Sequence, residues 1–253
     1  MTFDVVGAAY DRFMGRYSRP LASVFADWVG VRRGDEVLDV GCGPGALTGV
    51  LLERAGAPHV SAVDPSAPFV EACRRRHPAV EVLCAPAERL PFADGRFDAA
   101  LAQLVVHFMQ DPRTGLAEMA RVTGGGGRVA ACVWDLAGDR SPLSPFWSAA
   151  RRLDPTVADE SDRAGAREGH LAELAREAGL TDVESAELSV TVTHPGFEEW
   201  WEPYTLGVGP AGDHVAALDP HGREALREEC RSAFPARGPF DVTAVAWAVR
   251  AHA

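Results

Sequence analysis

The chain has 253 residues, of which 47% are hydrophobic and 24% are charged, as in ordinary globular domains. Asp and Glu together number 36 against 25 for Lys and Arg, which gives a formal net charge of -11. Phosphate backbones and anionic membrane surfaces attract basic faces, so this balance argues against a nucleic-acid or membrane partner and favours a small molecule.

The cysteines and the first residues of the chain bear on its compartment. The five cysteines are scattered and include no C-x-x-C pair, which predicts neither a disulfide framework nor a metal site. Residues 1–10 lack a basic stretch followed by an apolar core, so no signal peptide is predicted. No apolar run approaches the roughly 18 residues of a membrane span. These features predict a cytoplasmic protein.

Strand and helix patterns alternate through the first half of the chain, which predicts βαβ units and a parallel sheet. Apolar, β-branched runs predict strands over residues 36–40, 60–63, 80–84, 97–102 and 128–134. Helices are predicted over residues 46–55, after residue 65 and over residues 112–121. The last of these begins with Asp111 as its N-cap and Pro112 in its first turn.

The second half of the chain is less regular. Residues 135–165 are rich in proline, aromatic and charged residues and show no clear period, which predicts an excursion over the sheet. An apolar stripe predicts a helix over residues 171–178, and alternation predicts a half-exposed strand over residues 183–193. After a further helical excursion, residues 240–249 alternate again and predict the last strand.

The sequence VLDVGCGPG at residues 37–45 is the most informative segment. Glycine adopts positive φ angles and lets a ligand approach the backbone, and a strand, a glycine loop and a helix N-terminus together form a nucleotide cradle. Two interpretations are open. As G-x-G-x-x-A the motif is a dinucleotide fingerprint, and as D-x-G-x-G-x-G it resembles motif I of class I S-adenosylmethionine (SAM) methyltransferases.

Three further segments favour the second interpretation. Asp64 ends the second predicted strand, where a carboxylate can accept both hydroxyls of a ribose. Residues 87–98 follow the pattern A-E-x-L-P-F-x-D-x-x-F-D, which resembles the adenine-binding loop of that family, and residues 101–107 resemble its motif after the fourth strand. Residues 10–18 resemble a lid helix. The chain therefore resembles small-molecule methyltransferases related to the ubiquinone-biosynthesis C-methyltransferases.

This resemblance implies a Rossmann-like class I methyltransferase fold of the α/β class, with a mostly parallel seven-stranded sheet, an antiparallel last strand and a helical lid. It divides the chain into N-terminal lid helices (1–34), a SAM-binding core (35–135), a lid excursion (136–169) and a C-terminal part with a second helical excursion (170–253). Residues 124–127 are four glycines where the family usually has Lys-Pro-Gly-Gly, which predicts a looser turn. A monomer or homodimer is expected.

The resemblance also implies roles around SAM. Asp39 positions the loop and can reach the ammonium group, Asp64 holds the ribose, and the Gln103 carbonyl lies near the methionine amine. Arg16 is a candidate partner for the carboxylate of SAM. The cofactor-binding residues that the resemblance implies are Tyr10, Arg16, Tyr17, Asp39, Gly41, Cys42, Gly43, Gly45, Asp64, Pro65, Ser66, Ala87, Glu88 and Gln103. The alternatives are a helix cap for Asp64, a solvated loop for Glu88 and a surface charge for Arg16.

Methyl transfer from a sulfonium is an in-line displacement, so the protein mainly aligns the reactants and excludes water, and a base helps only where the acceptor has a proton to lose. His107 follows the fourth strand and is the candidate base or acceptor-orienting group, with loop stabilisation as the alternative. Glu198 and Glu199 are predicted to lie on a solvated helix face. The candidate substrate-binding residues, for which lid packing or a turn role is the alternative, are Trp134, Trp147, His194 and Trp201.

The predicted function is SAM-dependent methyl transfer to the oxygen, nitrogen or carbon of a small molecule, with natural-product metabolism as a candidate setting. One alternative is a methyltransferase-fold protein that binds SAM without transferring methyl, as a cyclisation template or an interaction module. The other is an NAD(P)-dependent oxidoreductase on the same sheet. The second alternative predicts a Tyr-x-x-x-Lys pair, which the chain lacks.

Overall fold

The computed structural model describes residues 11–253, which form a seven-stranded sheet. The strands are β1 (Val37–Val40), β2 (Val60–Asp64), β3 (Glu81–Cys84), β4 (Phe97–Gln103), β5 (Thr123–Trp134), β6 (Thr181–His194) and β7 (Phe240–His252). Their order across the sheet is β3-β2-β1-β4-β5-β7-β6. Strands β1 to β5 pair in parallel, and β7 is antiparallel to both of its neighbours. The predicted α/β fold with a mostly parallel sheet and an antiparallel last strand is confirmed.

Helices connect the strands and cover both faces of the sheet. The helices are α1 (Arg16–Val29), α2 (Ala46–Ala55), α3 (Ala67–Arg76), α4 (Pro112–Val122), α5 (Ser144–Leu153), α6 (His170–Glu177), α7 (Phe197–Trp201), α8 (Gly209–Ala217) and α9 (Pro220–Arg231), with short turns at Asp11–Gly15, Ala57–His59, Val106–Phe108 and Glu202–Leu206. Within residues 11–253, no helix combines the length and the apolar character that crossing a bilayer requires.

The central strands are buried along most of their length because both faces of a parallel sheet are covered. All residues of β1 are buried, and their side chains alternate between two hydrophobic cores. Val37 packs in the core that includes α1 and α2, whereas Leu38 and Val40 pack in the core that includes α4 and α6. The alternation places Asp39 on the same side as Val37, beside α2, at the carboxyl end of the strand.

Two helix boundaries that the sequence predicts agree with the structure. The helix predicted over residues 46–55 is α2 itself. Asp111 caps α4 as predicted, because its carboxylate accepts hydrogen bonds from the backbone N–H groups of Arg113 and Thr114 at 3.1 and 3.2 Å. A cap of this kind satisfies two backbone donors that the first turn of a helix leaves without partners.

The prediction of a loose turn at residues 124–127 is wrong. The four glycines belong to the start of β5, where the register against β4 shifts between Phe97 and Ala99. A Cβ atom at Gly127 would lie 2.9 Å from the carbonyl oxygen of Asp98. The glycines are therefore compatible with a strand that is irregular and approaches its neighbour closely, as glycine permits at bulges.

Residues 135–169 and 195–239, together with the turn Asp11–Gly15, form a helical cap that we call the lid. Its aromatic side chains pack on one another. Phe146 stacks on Tyr204 with ring centroids 4.6 Å apart, and Phe13 meets Tyr204 edge-on at 5.0 Å. The lid is thus held together by contacts between segments that are far apart in the sequence.

Candidate functional site

A cleft of about 760 Å³ opens at the carboxyl ends of β1, β2 and β4. Residues 41–45, which we call the glycine loop, form one wall, and the segment that follows β4 forms another. The predicted cofactor residues that line this cleft are Asp39, Gly41, Cys42, Gly43, Asp64, Pro65, Ser66 and Gln103. Four separate stretches of the chain therefore meet here, at the edge where parallel α/β sheets bind ligands.

The three glycines of the loop all have positive φ angles, but the atoms around them differ. A Cβ atom at Gly41 would lie 2.4 Å from a methyl carbon of Val105, and one at Gly45 would lie 2.7 Å from the ring of His77. At Gly43 no atom of residues 11–253 lies within 4 Å of the added atom. Gly41 and Gly45 thus permit close packing inside the protein, whereas Gly43 leaves backbone bare at the open cleft. Gly45 does not line the cleft.

Helix α3 holds the glycine loop from behind. The Arg76 guanidinium donates to the carbonyl oxygen of Pro44 at 2.6 Å, and Nε2 of His77 lies 2.9 Å from the carbonyl oxygen of Gly45. Sequence reasoning missed both contacts, since a basic run at a helix C-terminus is expected in any case from the helix dipole. They fix the shape of the loop without a ligand.

Asp64 joins two walls of the cleft. Its Oδ2 accepts a hydrogen bond from the backbone N–H of Gly43 at 2.9 Å, and its Oδ1 accepts one from the backbone N–H of Ser66 at 2.8 Å. Burial raises the pKa of Asp64, and these two bonds oppose the rise. Each carboxylate oxygen has a second lone pair, so Asp64 can still accept hydrogen bonds from a ligand.

Asp39 is buried directly beneath the loop. Its Oδ2 accepts the hydroxyl of Thr48 at 2.6 Å. Burial raises the pKa of Asp39 to about 7, and the nearby carboxyl of Asp64 contributes to the increase. No Lys, Arg or His is found among the described residues that line this cleft. Two buried carboxyl groups without a cation favour a positively charged ligand and repel a diphosphate.

Two buried polar atoms beside the cleft lack partners. The amide nitrogen of Gln103 donates to the carbonyl oxygen of Ser18 at 2.9 Å. Oε1 of Gln103 and Oγ of Ser18 make no hydrogen bond among the residues that the structure describes. Leaving such an atom unpaired costs about 1–3 kcal/mol. Both residues line the cleft, so a ligand with N–H donors would satisfy them.

Arg16 and Tyr17 lie elsewhere, in a cluster with His194 and Glu199 that we call the latch. The Tyr17 hydroxyl lies 2.7 Å from Nε2 of His194, and Nη1 of Arg16 lies 3.0 Å from Nδ1 of that ring. Glu199 pairs with Arg16 and also lies 2.8 Å from His194. The Glu199 side chain is 38% exposed, so it stays partly solvated as predicted. Folding brings α7 and the end of β6 against α1, which gives Glu199 partners that the sequence did not predict. Tyr10 lies outside the described residues.

Ala87 and Glu88 do not line the cleft either. Glu88 Oε1 accepts hydrogen bonds from the backbone N–H groups of Gln110 and Asp111 at 2.7 and 3.2 Å, so it fixes the approach to α4. Ala87 is buried in the core that contains α4. Neither residue is among the described residues that line the cleft, so their contact with an adenine edge stays a prediction.

A second cavity of about 510 Å³, which we call the lid cavity, lies between the sheet and the lid. Leu104 and Phe108 line both this cavity and the cleft. Leu104 has a φ of 61°, an angle that is strained for a residue with a side chain. His107 and Glu160 are the polar residues among the described lining, which is otherwise apolar or aromatic apart from Gly209. The two cavities therefore share one wall.

The four candidate substrate-binding residues lie in different parts of the structure. Trp134 lines the lid cavity, whereas Trp147 only approaches it by donating from Nε1 to Glu160 at 3.3 Å. Trp201 is buried and stacks with Phe146 inside the lid. His194 belongs to the latch, as described above. Trp134 and the candidate catalytic residue His107 are the two that meet at this cavity.

Burial keeps His107 uncharged. Desolvation, helped by the nearby guanidinium of Arg163, lowers the pKa of His107 to about 3. Its Nδ1 has no hydrogen-bond partner among the described residues. His107 is therefore a neutral but weak base, suited to holding a hydroxyl or N–H group of a ligand.

This burial predicts how stability depends on pH. Below about pH 6.5 the unfolded chain binds a proton at His107 that the folded protein excludes, so the free energy of unfolding falls as the pH falls towards 3. Between pH 6.5 and 5, we expect this residue to account for a loss of about 2 kcal/mol. Urea unfolding at both pH values should show that loss in the wild type and not in His107→Asn. An equal pH dependence in both proteins would show that His107 titrates normally in the fold.

Comparison with known proteins agrees with this geometry. A family model described as a methyltransferase domain matches residues 38–131. A demethylmenaquinone methyltransferase of Paenarthrobacter aurescens strain TC1 is 31% identical over 210 residues, which are 74% of this chain and 80% of that protein. An uncharacterized 37.1 kDa protein of transposon TN4556 in Streptomyces fradiae is 36% identical over 169 residues, which are 64% of this chain and 48% of that protein.

The fold is also found among solved structures. A candidate methyltransferase from Bacillus halodurans C-125 superposes with a TM-score of 0.58 and 18% sequence identity, over 92% of this chain and 97% of that one. The fold is Rossmann-like, and its cleft lies at the edge where parallel α/β sheets bind ligands. The chain belongs to the SAM-dependent methyltransferase family. It spans about half the length of some of its curated relatives and 80% of the demethylmenaquinone methyltransferase.

Proposed function

We propose that this protein transfers the methyl group of SAM to a small molecule that occupies the lid cavity. The observation that carries the proposal is the pair of buried carboxyl groups, Asp39 and Asp64, at a cleft whose described lining has no cationic side chain. SAM carries a sulfonium and an ammonium group, so it supplies the positive charge that these carboxyl groups favour. An NAD(P) diphosphate would meet repulsion at the same place, and the family of the chain also argues against the oxidoreductase alternative.

The residues around the cleft have chemically distinct tasks in this proposal. Bare backbone at Gly43 allows close approach of the cofactor, and Asp64 accepts hydrogen bonds from its ribose hydroxyls. Oε1 of Gln103, which has no partner among the described residues, accepts a hydrogen bond from the ammonium group. SAM, when bound, supplies an electrophilic methyl group. The proposal does not assign Arg16, Tyr17, Ala87 or Glu88 to the cofactor, because none of them is among the described residues that line the cleft.

The shared wall explains how acceptor and cofactor would be aligned. Leu104 and Phe108 line both the cleft and the lid cavity, so an acceptor in that cavity would lie next to the cofactor. Holding two reactants in line in this way can lower a barrier by about 7–11 kcal/mol. His107 orients the acceptor through its neutral ring and is too weakly basic to be the main proton acceptor.

The acceptor in this proposal is a small molecule and not a nucleic acid, since the net charge of -11 repels phosphate backbones. The five cysteines are free, which supports a reducing compartment, and we place the protein in the cytoplasm on that ground. The relative from Paenarthrobacter aurescens is named for a quinone precursor, which supports an apolar ring as one candidate acceptor.

Calorimetric titration tests the first part of the proposal. We expect saturable binding of SAM and of S-adenosylhomocysteine, and no binding of NAD at the same concentrations. Incubation with SAM and a panel of hydroxylated, aminated and carbon acceptors, followed by detection of S-adenosylhomocysteine, tests the transfer itself. SAM binding without product for any acceptor would favour the alternative of a SAM-binding protein that does not transfer methyl. Binding of NAD in place of SAM would refute the proposal.

A further inference from the structure

Glu160 is a buried carboxylate that sequence reasoning did not single out. It lies in the lid between α5 and α6 and is only 4% exposed, although it lines the lid cavity. Its Oε2 accepts a hydrogen bond from Nε1 of Trp147 at 3.3 Å. An acidic side chain in an apolar cavity is costly unless it has a function or a partner.

Two further polar atoms are buried without partners on the same cavity lining. Trp134 and His107 both line the lid cavity, and Nε1 of Trp134 and Nδ1 of His107 make no hydrogen bond among residues 11–253. The indole N–H can only donate. The neutral imidazole and the carboxylate can accept. A ligand group that both donates and accepts, such as a hydroxyl, would satisfy this set, whereas a purely apolar ligand would not.

The Arg163 guanidinium places a positive charge near the Glu160 carboxylate. The Arg163 guanidinium lies close enough to lower the pKa of both His107 and Glu160, and it sits over the ring of Phe108 at 5.8 Å. The carboxylate of Asp159 raises the pKa of Glu160, and Asp159 itself pairs with Arg151. A positive charge thus already lies beside the cavity, where it stabilises an oxygen that becomes negative and repels an ammonium group.

We propose that the acceptor is a compound with an aromatic or enolic hydroxyl group, and that Glu160 takes up the proton of that hydroxyl during methyl transfer. This inference rests on the proposed function. The O–CH3 bond forms as the S–CH3 bond breaks, the bonding electron pair stays on sulfur, and the O–H proton passes to the Glu160 carboxylate and then to solvent. Aromatic rings from the lid and the sheet, among them Phe13 and Trp134, provide flat apolar surface for the ring of the acceptor.

The acid–base properties of the two candidate groups agree with this assignment. Burial raises the pKa of Glu160, which makes its carboxylate a stronger base than an exposed one, whereas the pKa of His107 is lowered to about 3. A general base works best when its pKa lies near the working pH. Glu160 therefore accepts the proton, and His107 holds the acceptor in place.

Binding of beta-naphthol to the protein without SAM tests the inference separately from transfer. Tryptophan fluorescence titration should give about a tenfold weaker affinity for Glu160→Gln than for the wild type, because a hydrogen bond to a charged group is replaced by one to a neutral amide. The matched control Asp162→Asn removes an exposed carboxylate of the same lid segment and should leave the affinity unchanged. Naphthalene, which lacks the hydroxyl, should bind all three proteins equally.

Three results would overturn the inference. The first is equal beta-naphthol affinity in Glu160→Gln and wild type, and the second is tighter binding of naphthylmethylamine, a cation, than of beta-naphthol. The third is failure of Glu160→Asp, which keeps the carboxylate, to prefer beta-naphthol over naphthalene. Thermal unfolding of each variant shows whether it is folded. If SAM binds normally but Glu160→Gln does not change the affinity for beta-naphthol, the inference is wrong and the proposed function still stands. If the protein does not bind SAM, the proposed function is refuted.

Discussion

Replacing Gly41 by alanine is expected to lower the free energy of unfolding by about 2–5 kcal/mol. The residue has a φ of 73°, and the added Cβ atom would lie 2.4 Å from one methyl carbon of Val105 and 2.5 Å from the other. The left-handed backbone conformation costs about 1–2 kcal/mol for a residue with a Cβ atom. Forcing a methyl group into a packed site costs about 1–3 kcal/mol more. Urea unfolding of the purified variant measures the sum.

Gly43→Ala is the matched control for that experiment. Its φ of 52° carries the same kind of backbone strain, but no atom in the described part of the chain lies within 4 Å of the added atom. We expect it to lose only about 1–2 kcal/mol of stability. Its methyl group would nevertheless occupy the open cleft, so SAM binding should be lost while the fold survives. Adding Val105→Ala to Gly41→Ala should recover the steric part of the loss, because the two changes remove one contact. Equal destabilisation by the two glycine substitutions would refute the packing argument.

Replacing Asp64 by alanine should weaken SAM binding by about a hundredfold or more. Two hydrogen bonds from the ribose to a carboxylate are lost, each worth about 1.5–3 kcal/mol, and each 1.4 kcal/mol is tenfold in affinity. The change also removes the acceptor that joins the backbone N–H groups of Gly43 and Ser66, so the walls of the cleft lose a link. Calorimetric titration with SAM measures the effect.

Asp64→Asn separates the two contributions. The amide oxygen can still accept one of the backbone hydrogen bonds, but the side chain loses its charge and its second acceptor, so the affinity should fall between those of the wild type and the alanine variant. Circular dichroism and thermal unfolding control for loss of the fold. Unchanged SAM affinity in Asp64→Ala would mean that the ribose is bound by other residues.

The parts of the site that sequence reasoning located are those built from contiguous residues. The glycine loop and Asp64 lie at the carboxyl ends of adjacent parallel strands, and that adjacency follows from the βαβ pattern alone. The strands and the capped helix α4 can also be predicted from the sequence, because hydrophobic periodicity and helix capping depend on neighbouring residues.

The parts that sequence reasoning missed depend on contacts between distant segments. Arg16 pairs with Glu199 across the length of the chain, so a residue expected at the cofactor neutralises a residue expected in solvent. Likewise, nothing in the local sequence distinguishes the buried Glu160 from the partly buried Asp159 and the exposed Asp162. Its burial results from the way the lid closes over β5. The sequence alone also cannot show that Trp134 lines a cavity whereas Trp201 is buried inside the lid.

The division between the two cavities has an evolutionary consequence. The cofactor cleft is built mostly from the ends of sheet strands and the loops that follow them, whereas much of the lid cavity comes from three lid segments that are separate in the sequence. Mutations or loop exchanges in those segments can alter which acceptor fits without changing the groups that hold the methyl donor. The range of acceptors can therefore change through mutations in the lid while selection preserves the cofactor cleft. Exchanging lid segments between homologues is a practical way to engineer new acceptor specificity.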